Sequence, residues 1–488
     1  MTAKEVQLMQ QAYNEVVKYK DKVSSDPYRL DYHLMPPVGL LNDPNGLIQY
    51  KGVYHVFYQW NPFATTHGAK YWGHYSSTDM VHWRLEPIAL APREWYERNG
   101  CYSGSAVEEN GLLYLFYTGN VKNEDGTRET YQCLAVSSDG IHFEKKGPVL
   151  RLPKGYNAHF RDPKVWRSND RWYMVVGAQT HDEKGEAVLF TSTDLYNWEK
   201  VGRMAGSGLN GLGNFGYMWE CPDLIHLNGK EVLLVSPQGL KPRGHLYHNL
   251  FQSGYFVGQL DYRNGKFRHG DFVELDRGFD FYAPQTFTDE KGRTVLYGWM
   301  GITDEDEQSQ PTISNNWVHA LTLPRKVELI GEKVYQRPLV ELEKLRKNQV
   351  RHQNVKVEGK QVELAGVNGT PLELLLNSVR VGKGKFEVTL RNEAVLSYDA
   401  DKQEMSLQRT NVKTKQPEIR TCKLSSLSNL QIFMDRSSIE VFINNGEEVY
   451  TARYFPAPDD LSISFKGNAI FDLTKWDLEK IKIAGGLS

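Results

Sequence analysis

Cysteine is scarce in this chain. Four thiols, Cys101, Cys133, Cys221 and Cys422, are spread over 488 residues with no C-x-x-C spacing, which excludes a disulfide framework and a cysteine-built zinc site and predicts reduced thiols. A surplus of positive charge is also missing. Lys and Arg number 58 against 60 Asp and Glu, for a net charge of −2 and a pI near 6.7, so neither nucleic acid nor an anionic membrane meets a complementary field. No apolar run approaches the ~18 residues of a membrane span. The opening stretch, Met1 to Gln11, lacks the basic-then-apolar profile of an export signal. Together these absences predict a cytoplasmic protein with no membrane or nucleic-acid partner; the oligomeric state stays open.

What the chain does have is aromatic residues, 12% of the total with 27 Tyr and 11 Trp. That content suits a β protein with stacking surfaces of the kind sugars use, and a tightly packed β core fits it too. The length exceeds one ordinary core and predicts two domains. Residues 1–33 read as a helix and lead-in, with Val6, Met9, Tyr13, Val16 and Val17 of an amphipathic segment over residues 3–22 forming one stripe.

A turn residue followed by an aromatic and β-branched run then recurs five times: Gly52 to Tyr58, Gly111 to Tyr117, Arg171 to Val176, Glu231 to Val235 and Arg293 to Trp299. The spacing of roughly 60 residues belongs to propeller-type repeats. Ser/Thr-Asp turns recur with it, as Ser77-Thr78-Asp79 with Trp83, Ser138-Asp139-Gly140 with Phe143, Ser192-Thr193-Asp194 with Trp198, and Asp261 with Phe267. Each unit therefore holds about four antiparallel strands, the blade of a β-propeller. The predicted fold is all-β, with a five-bladed propeller over residues 34–335 and a linker helix over 336–349 that carries Leu339, Leu342 and Leu345. A β-sandwich follows over 350–488, where Ile439, Val441 and Ile443 alternate and Asn445-Gly446 marks a two-residue hairpin turn. With no carboxylate pair or metal spacing of its own, the sandwich is expected to serve stability or accessory binding.

Each second-strand run is preceded by a segment that would form the innermost strand of its blade. These begin Asp43-Pro44, Ser103-Gly104, Asp162-Pro163, Glu220-Cys221-Pro222 and Tyr282-Ala283-Pro284. Taken alone, Leu41 to Gly46 is only a hairpin, because Asp-Pro and Asn-Gly cluster at turns for backbone reasons. Equivalent positions of a closed propeller face the same end of its channel, however, so Asp43, Asp162 and Glu220 should meet in one pocket. Three carboxylates at one repeat position point to carboxylate chemistry. The close pair His245 and His248 has no third ligand beside it, and neither a metal nor a cofactor is expected.

Asn42 to Gly46, Tyr102 to Ala106, Arg161-Asp162-Pro163, Glu220-Cys221, Phe281 to Gln285 and, near the C terminus, Asp435 to Phe442 resemble the signature segments of glycoside hydrolase family 32, in the family's order over nearly the whole chain. The resemblance implies a retaining β-fructofuranosidase acting on sucrose 6-phosphate, on sucrose, or on both, with a small-molecule sugar as its partner. Asp43 would attack the fructosyl carbon, and Glu220 would protonate the leaving oxygen and then activate water. Such a pair is expected ~5 to 5.5 Å apart. Asp162 would grip fructose hydroxyls, oriented by Arg161. Glu220 is expected to be kept protonated by desolvation or by Asp43 and Asp162, while hydrogen bonds keep Asp43 ionised.

The resemblance also assigns Leu41, Asn42, Gln59, Tyr102, Ser103, Tyr282 and Trp299 to the substrate pocket. His67 stands where some members carry a pocket Trp. Lys70, Lys241 and Arg243 are candidate phosphate contacts, whereas Trp60, Trp72 and Trp83 are expected in the core. The alternatives are an exo-acting inulin or levan hydrolase, a fructosyltransferase, and a non-catalytic carbohydrate-binding propeller; the three carboxylates argue against the last.

Overall fold

The computed structural model describes residues 2–303 and 306–486. The chain opens with the helix Ala3–Ser24, capped by the Thr2 hydroxyl, which accepts from Glu5 N–H at 3.3 Å. The expected apolar stripe is rotated: Glu5, Met9, Ala12 and Val23 are buried, but Val6 and Val17 are 51% and 70% exposed. The cause is polar anchoring of the neighbouring face. Glu5 is drawn inward by Arg93 at 2.5 Å, and the Tyr13 hydroxyl meets Ile88 N–H at 3.3 Å.

Five mostly antiparallel sheets follow in a propeller-containing region, each with its strands mostly in chain order. Their innermost strands are Gly39–Tyr50, Cys101–Glu109, Tyr156–Ser168, Met218–Leu227 and Tyr282–Thr288. The five aromatic runs of the sequence repeat lie in, or at the start of, the second strands, Val53–Asn61, Leu112–Lys122, Arg171–Thr180, Lys230–Gln238 and Thr294–Met300. Trp60, Trp72 and Trp83 are core residues, at most 4% exposed. The short strand Trp317–Val318, between the second strand of the fifth sheet and its later strands, pairs in parallel with Gly39 and Leu40 and so ties that part of the chain back to the first sheet.

The Ser-Asp turns join third to fourth strands. Ser77 Oγ accepts from the N–H groups of Asp79 and Met80, and Asp79 Oδ1 accepts from those of Val81 and His82. Ser192 and Asp194 repeat this arrangement. In the second sheet the hydroxyl belongs to Ser137, one residue before the Ser138 of the sequence pattern.

A β-bulge recurs at one position of the inner strands, and it builds the site. Asn42 and Asp43 together face one residue of the neighbouring strand, as do Asp162 and Pro163, Cys221 and Pro222, and Ala283 and Pro284; in the second sheet Ser103 is the extra residue. Proline has no N–H for the ladder and is tolerated at such interruptions. A bulge re-aims the side chains beside it. Asp162, Cys221 and Ala283 take φ of +68°, +47° and +50° there, a region non-glycine residues seldom occupy.

Past the fifth sheet the predicted linker helix is a six-residue 3₁₀ turn, Val340–Leu345. Leu339, Leu342 and Leu345, all buried, repeat every three residues, which is the 3₁₀ period rather than the α one. The preceding strand runs to Pro338 and the next begins at Arg346. The C-terminal part is sandwich-like but forms one continuous nine-stranded sheet, because the long strand Leu372–Leu390 pairs with Ala394–Asp399, Leu430–Asp435 and Ile463–Leu478. Asn445-Gly446 lies in a four-residue connection rather than a two-residue turn, since Ile443 pairs with Glu448. That connection docks on the propeller part: Gln336 N–H donates to Gly446 O at 3.0 Å, and a Cβ on Gly446 would fall 1.9 Å from Gln336 O.

The segment Asp435 to Phe442 serves the same contact. Asp435 accepts from the Asp31 and Tyr32 N–H groups and approaches His33 Nδ1, while Glu440 approaches His33 Nε2 and accepts from Leu323 N–H and Arg325.

Candidate active site

The bulges open onto a cavity of about 400 Å³ lined by Asn42, Asp43, Gln59, His67, Lys70, Tyr102, Ser103, Arg161, Asp162, Glu220, Tyr282 and Trp299. Three residues expected in it are elsewhere. Leu41 is fully buried in the hydrophobic core, because it precedes the bulge and still pairs with Trp60. Lys241 and Arg243 are exposed on a loop that turns away, closed on itself by paired Arg243 and Leu246 backbones.

Asp43 Oδ2 accepts from the Ser103 hydroxyl at 2.5 Å, and Oδ1 accepts from Asn42 Nδ2 at 3.1 Å. Asn42 is itself held by Gln59 Oε1 at 2.8 Å. These donors stabilise a carboxylate and orient it.

Glu220 is cradled by four donor atoms. Its Oε1 accepts from Arg161 Nε and Nη2 at 3.0 and 2.5 Å, and its Oε2 from Gln238 Nε2 and the Tyr282 hydroxyl at 2.9 and 2.6 Å. The Glu220 charge in turn raises Arg161 and holds it protonated against its burial. The third nitrogen of Arg161 reaches His159 Nδ1 at 2.9 Å. Burial first, then Arg161 and Arg128, lowers His159 to about 4, so its ring is neutral and Nδ1 accepts.

The carboxyl pushed upward is that of Asp162, to about 7, chiefly by burial and then by the Glu220 and Asp43 charges, against the pull of Arg161 and the Cys221 N–H. That N–H donates to Asp162 Oδ2 at 3.0 Å, and the Cys221 Sγ lies 3.5 Å from one oxygen each of Asp43 and Asp162. Burial also raises the Cys221 thiol well above its ordinary range.

Across the cavity, Lys70 Nζ donates to His67 Nδ1 at 3.1 Å, and His67 Nε2 faces Thr303 and Glu307 at 2.9 and 3.2 Å. Burial lowers Lys70 to about 7 against the opposing charges of Asp43 and Glu307. The His67 ring meets Trp299 edge-on at 5.9 Å, which gives this position an aromatic contact without a Trp.

The sequence reading missed Asn120, Arg128, Thr130, His159, Gln238 and Phe251, which also line the cavity. Most stand on second and third strands or in connections, outside the inner-strand motif that located the carboxylates. Below the carboxylates the channel is closed. Gln285 Nε2 donates to Gly104 O at 2.7 Å, and Lys164 spans to Asp223 and Thr286 O.

Residues 33–338 match the family model described as Glycosyl hydrolases family 32 N-terminal domain, and residues 341–483 match Glycosyl hydrolases family 32 C terminal. The chain is 52% identical over 480 residues to a sucrose-6-phosphate hydrolase of Bacillus subtilis, covering 98% of this chain and all of that protein. The solved sucrose-6-phosphate hydrolase of Lactobacillus gasseri superposes with a TM-score of 0.87 at 30% identity, over 97% of this chain and 99% of that one. A variant of a Bombyx mori family 32 β-fructofuranosidase, solved in complex with sucrose, superposes with a TM-score of 0.82 at 33% identity, over the same shares of the two chains.

Proposed function

The chain belongs to glycosyl hydrolase family 32, and from that premise we propose that it hydrolyses the β-fructofuranosyl linkage of sucrose 6-phosphate or sucrose with retention of configuration. The observation that carries this reading is the convergence of Asp43, Asp162 and Glu220 on one cavity, each in different surroundings. Asp43, aimed by Ser103 and Asn42, attacks the fructosyl carbon and breaks its bond to the glucosyl oxygen. Glu220 gives that oxygen its proton. Water then enters on the vacated side, Glu220 takes its proton, and the ester to Asp43 is cleaved. Asp162 accepts hydrogen bonds from fructose hydroxyls, most strongly as charge builds on the ring.

We read the five sheets as five blades around one axis, the arrangement that turns five equivalent bulges toward one mouth. We read the reaction as cytoplasmic, in keeping with four unpaired thiols. Methanol added as an acceptor tests retention. Methyl β-fructofuranoside is the expected product, and the α anomer would overturn the two-step route.

A further inference from the structure

A phosphate on the glucosyl half of the substrate must be met on the side where the leaving group sits. That side is set by Glu220, which delivers the proton to the leaving oxygen, and outward from Glu220 the contacts run to Arg161 and His159, with Arg128 also on the cavity wall near His159. Lys70 and His67 stand on the other side, beside Asp43 and Glu307.

The wall's cations differ in what already holds them. Arg161 is committed to Glu220, and Lys70 is buried against His67. Among the described residues, the Arg128 side chain makes no hydrogen bond or ion pair. It lies on a hairpin directly opposite Lys122, whose ammonium is also without a partner. Opposed like charges on one sheet face repel, and Lys122 is lowered in part by Arg128 for that reason, after burial. Among the described residues no acid of the same hairpin pairs with either cation: Asp125 accepts from Thr127, Glu129 accepts from Tyr131 and Asn123, and Glu124 at the exposed tip makes no ion pair. Two adjacent cations, neither in an ion pair among the described residues, at the rim of a sugar pocket, form a receptor for a compact anion.

We propose that Arg128, backed by Lys122 across the hairpin, binds the phosphate of sucrose 6-phosphate and sets the preference for the phosphorylated sugar. The assignment rests on the fructoside-hydrolase reading of the pocket. The planar fork of Arg128 suits two phosphate oxygens, and Lys122 adds a second charge.

The test compares kcat/KM on sucrose 6-phosphate and on sucrose for the unaltered protein, Arg128→Gln, Lys122→Gln, and the loop controls Lys241→Gln and Arg243→Gln. The ratio of the two constants should fall roughly ten- to a hundred-fold in Arg128→Gln, as for loss of a charge-assisted hydrogen bond. In Lys122→Gln it should fall about two- to five-fold, as for an exposed charge. The loop controls should keep the starting ratio. A ratio near one in the unaltered protein, or one that Arg128→Gln leaves intact, overturns the assignment and leaves fructoside hydrolysis standing. Calorimetric titration with glucose 6-phosphate and glucose gives a reading independent of turnover. If neither sucrose is cleaved, the functional reading falls, yet tighter binding of glucose 6-phosphate that is lost in Arg128→Gln upholds the anion site, and equal binding of the two overturns it.

Discussion

Two nitrogens of Arg161 converge on a single oxygen of Glu220, at 3.0 and 2.5 Å, leaving the other oxygen to Gln238 and Tyr282. The carboxyl is thereby fixed in plane and direction before substrate arrives. Glu220→Gln keeps the shape and removes the transferable proton, so kcat should fall on the order of 10² to 10⁴. A fructosyl fluoride, whose leaving group needs no proton, should lose much less in its first step. Equal losses on both substrates would remove Glu220 from the acid role.

The raised Asp162 predicts an acid limb in the pH profile. As a carboxylate it accepts fructose hydroxyls, and as a carboxylic acid it loses acceptor capacity. With its titration pushed up to about 7, kcat/KM should decline as the pH falls through that region, the apparent value belonging to the coupled trio of carboxyls. Asp162→Asn should cost on the order of 10² in kcat/KM, as for a hydrogen bond to a charged group, and abolish that limb. A limb that persists unchanged in the variant would assign it to another group.

Asp43→Asn tests nucleophilic attack against the reading of the molecule as a sugar-binding propeller. The amide preserves size and still meets Asn42 and Ser103, so sucrose binding measured by calorimetry should survive. Turnover should drop by at least ~10³, because an amide cannot form the ester intermediate. Undiminished turnover would exclude Asp43 as the nucleophile.

The three carboxylates were legible in the sequence because they share one repeat position, each with a proline in or just after the bulge. Asp43-Pro44, Asp162-Pro163 and Cys221-Pro222 mark the places where a strand gives up its ladder and turns side chains into the channel. Gln238, His159 and Arg128 were not legible by that route. Gln238 and Arg128 stand on neighbouring strands, where only the register between strands tells which side chains reach the cavity, and His159 lies on the inner strand of Asp162 but before the bulge motif. Lys241 and Arg243 were singled out as a basic loop, and sequence does not tell that this loop is closed by paired Arg243 and Leu246 backbones outside the residues lining the cavity. The leucines of the linker did state their period, three rather than 3.6, and the 3₁₀ turn follows from that alone.

His33 predicts a pH window for stability. Burial favours its neutral form, but the Asp435 and Glu440 carboxylates, 2.8 and 2.9 Å from its two ring nitrogens, prevail and raise it to about 9. The unfolded chain titrates near ~6.5, so this stabilisation is fully present below that pH and is lost as the pH rises through about 9. The shift corresponds to about 3 kcal/mol at most. Denaturant unfolding at about pH 6.5 and about pH 9.5 should show the loss. In His33→Gln the dependence should flatten, with a cost of roughly 3–5 kcal/mol at the lower pH from two buried carboxylates left facing each other. A flat profile in the unaltered protein would exclude a buried imidazolium.

Asp43, Asp162 and Cys221 each offer one ligand atom, all within 4.8 Å of one another, a spacing that invites the question of a metal. The donors already present argue against one. Asp43 Oδ2 takes the Ser103 hydroxyl at 2.5 Å, and Asp162 Oδ2 takes the Cys221 N–H at 3.0 Å. The thiol, raised by burial and by the two carboxylate charges, keeps its proton, and a protonated thiol is a poor ligand. A cation there would also neutralise the Asp43 charge needed for attack. Dialysis against a chelator should therefore leave kcat/KM on sucrose 6-phosphate unchanged. Loss of activity restored by a divalent cation would overturn this account of the three residues and require a Lewis-acid role at the fructosyl ring.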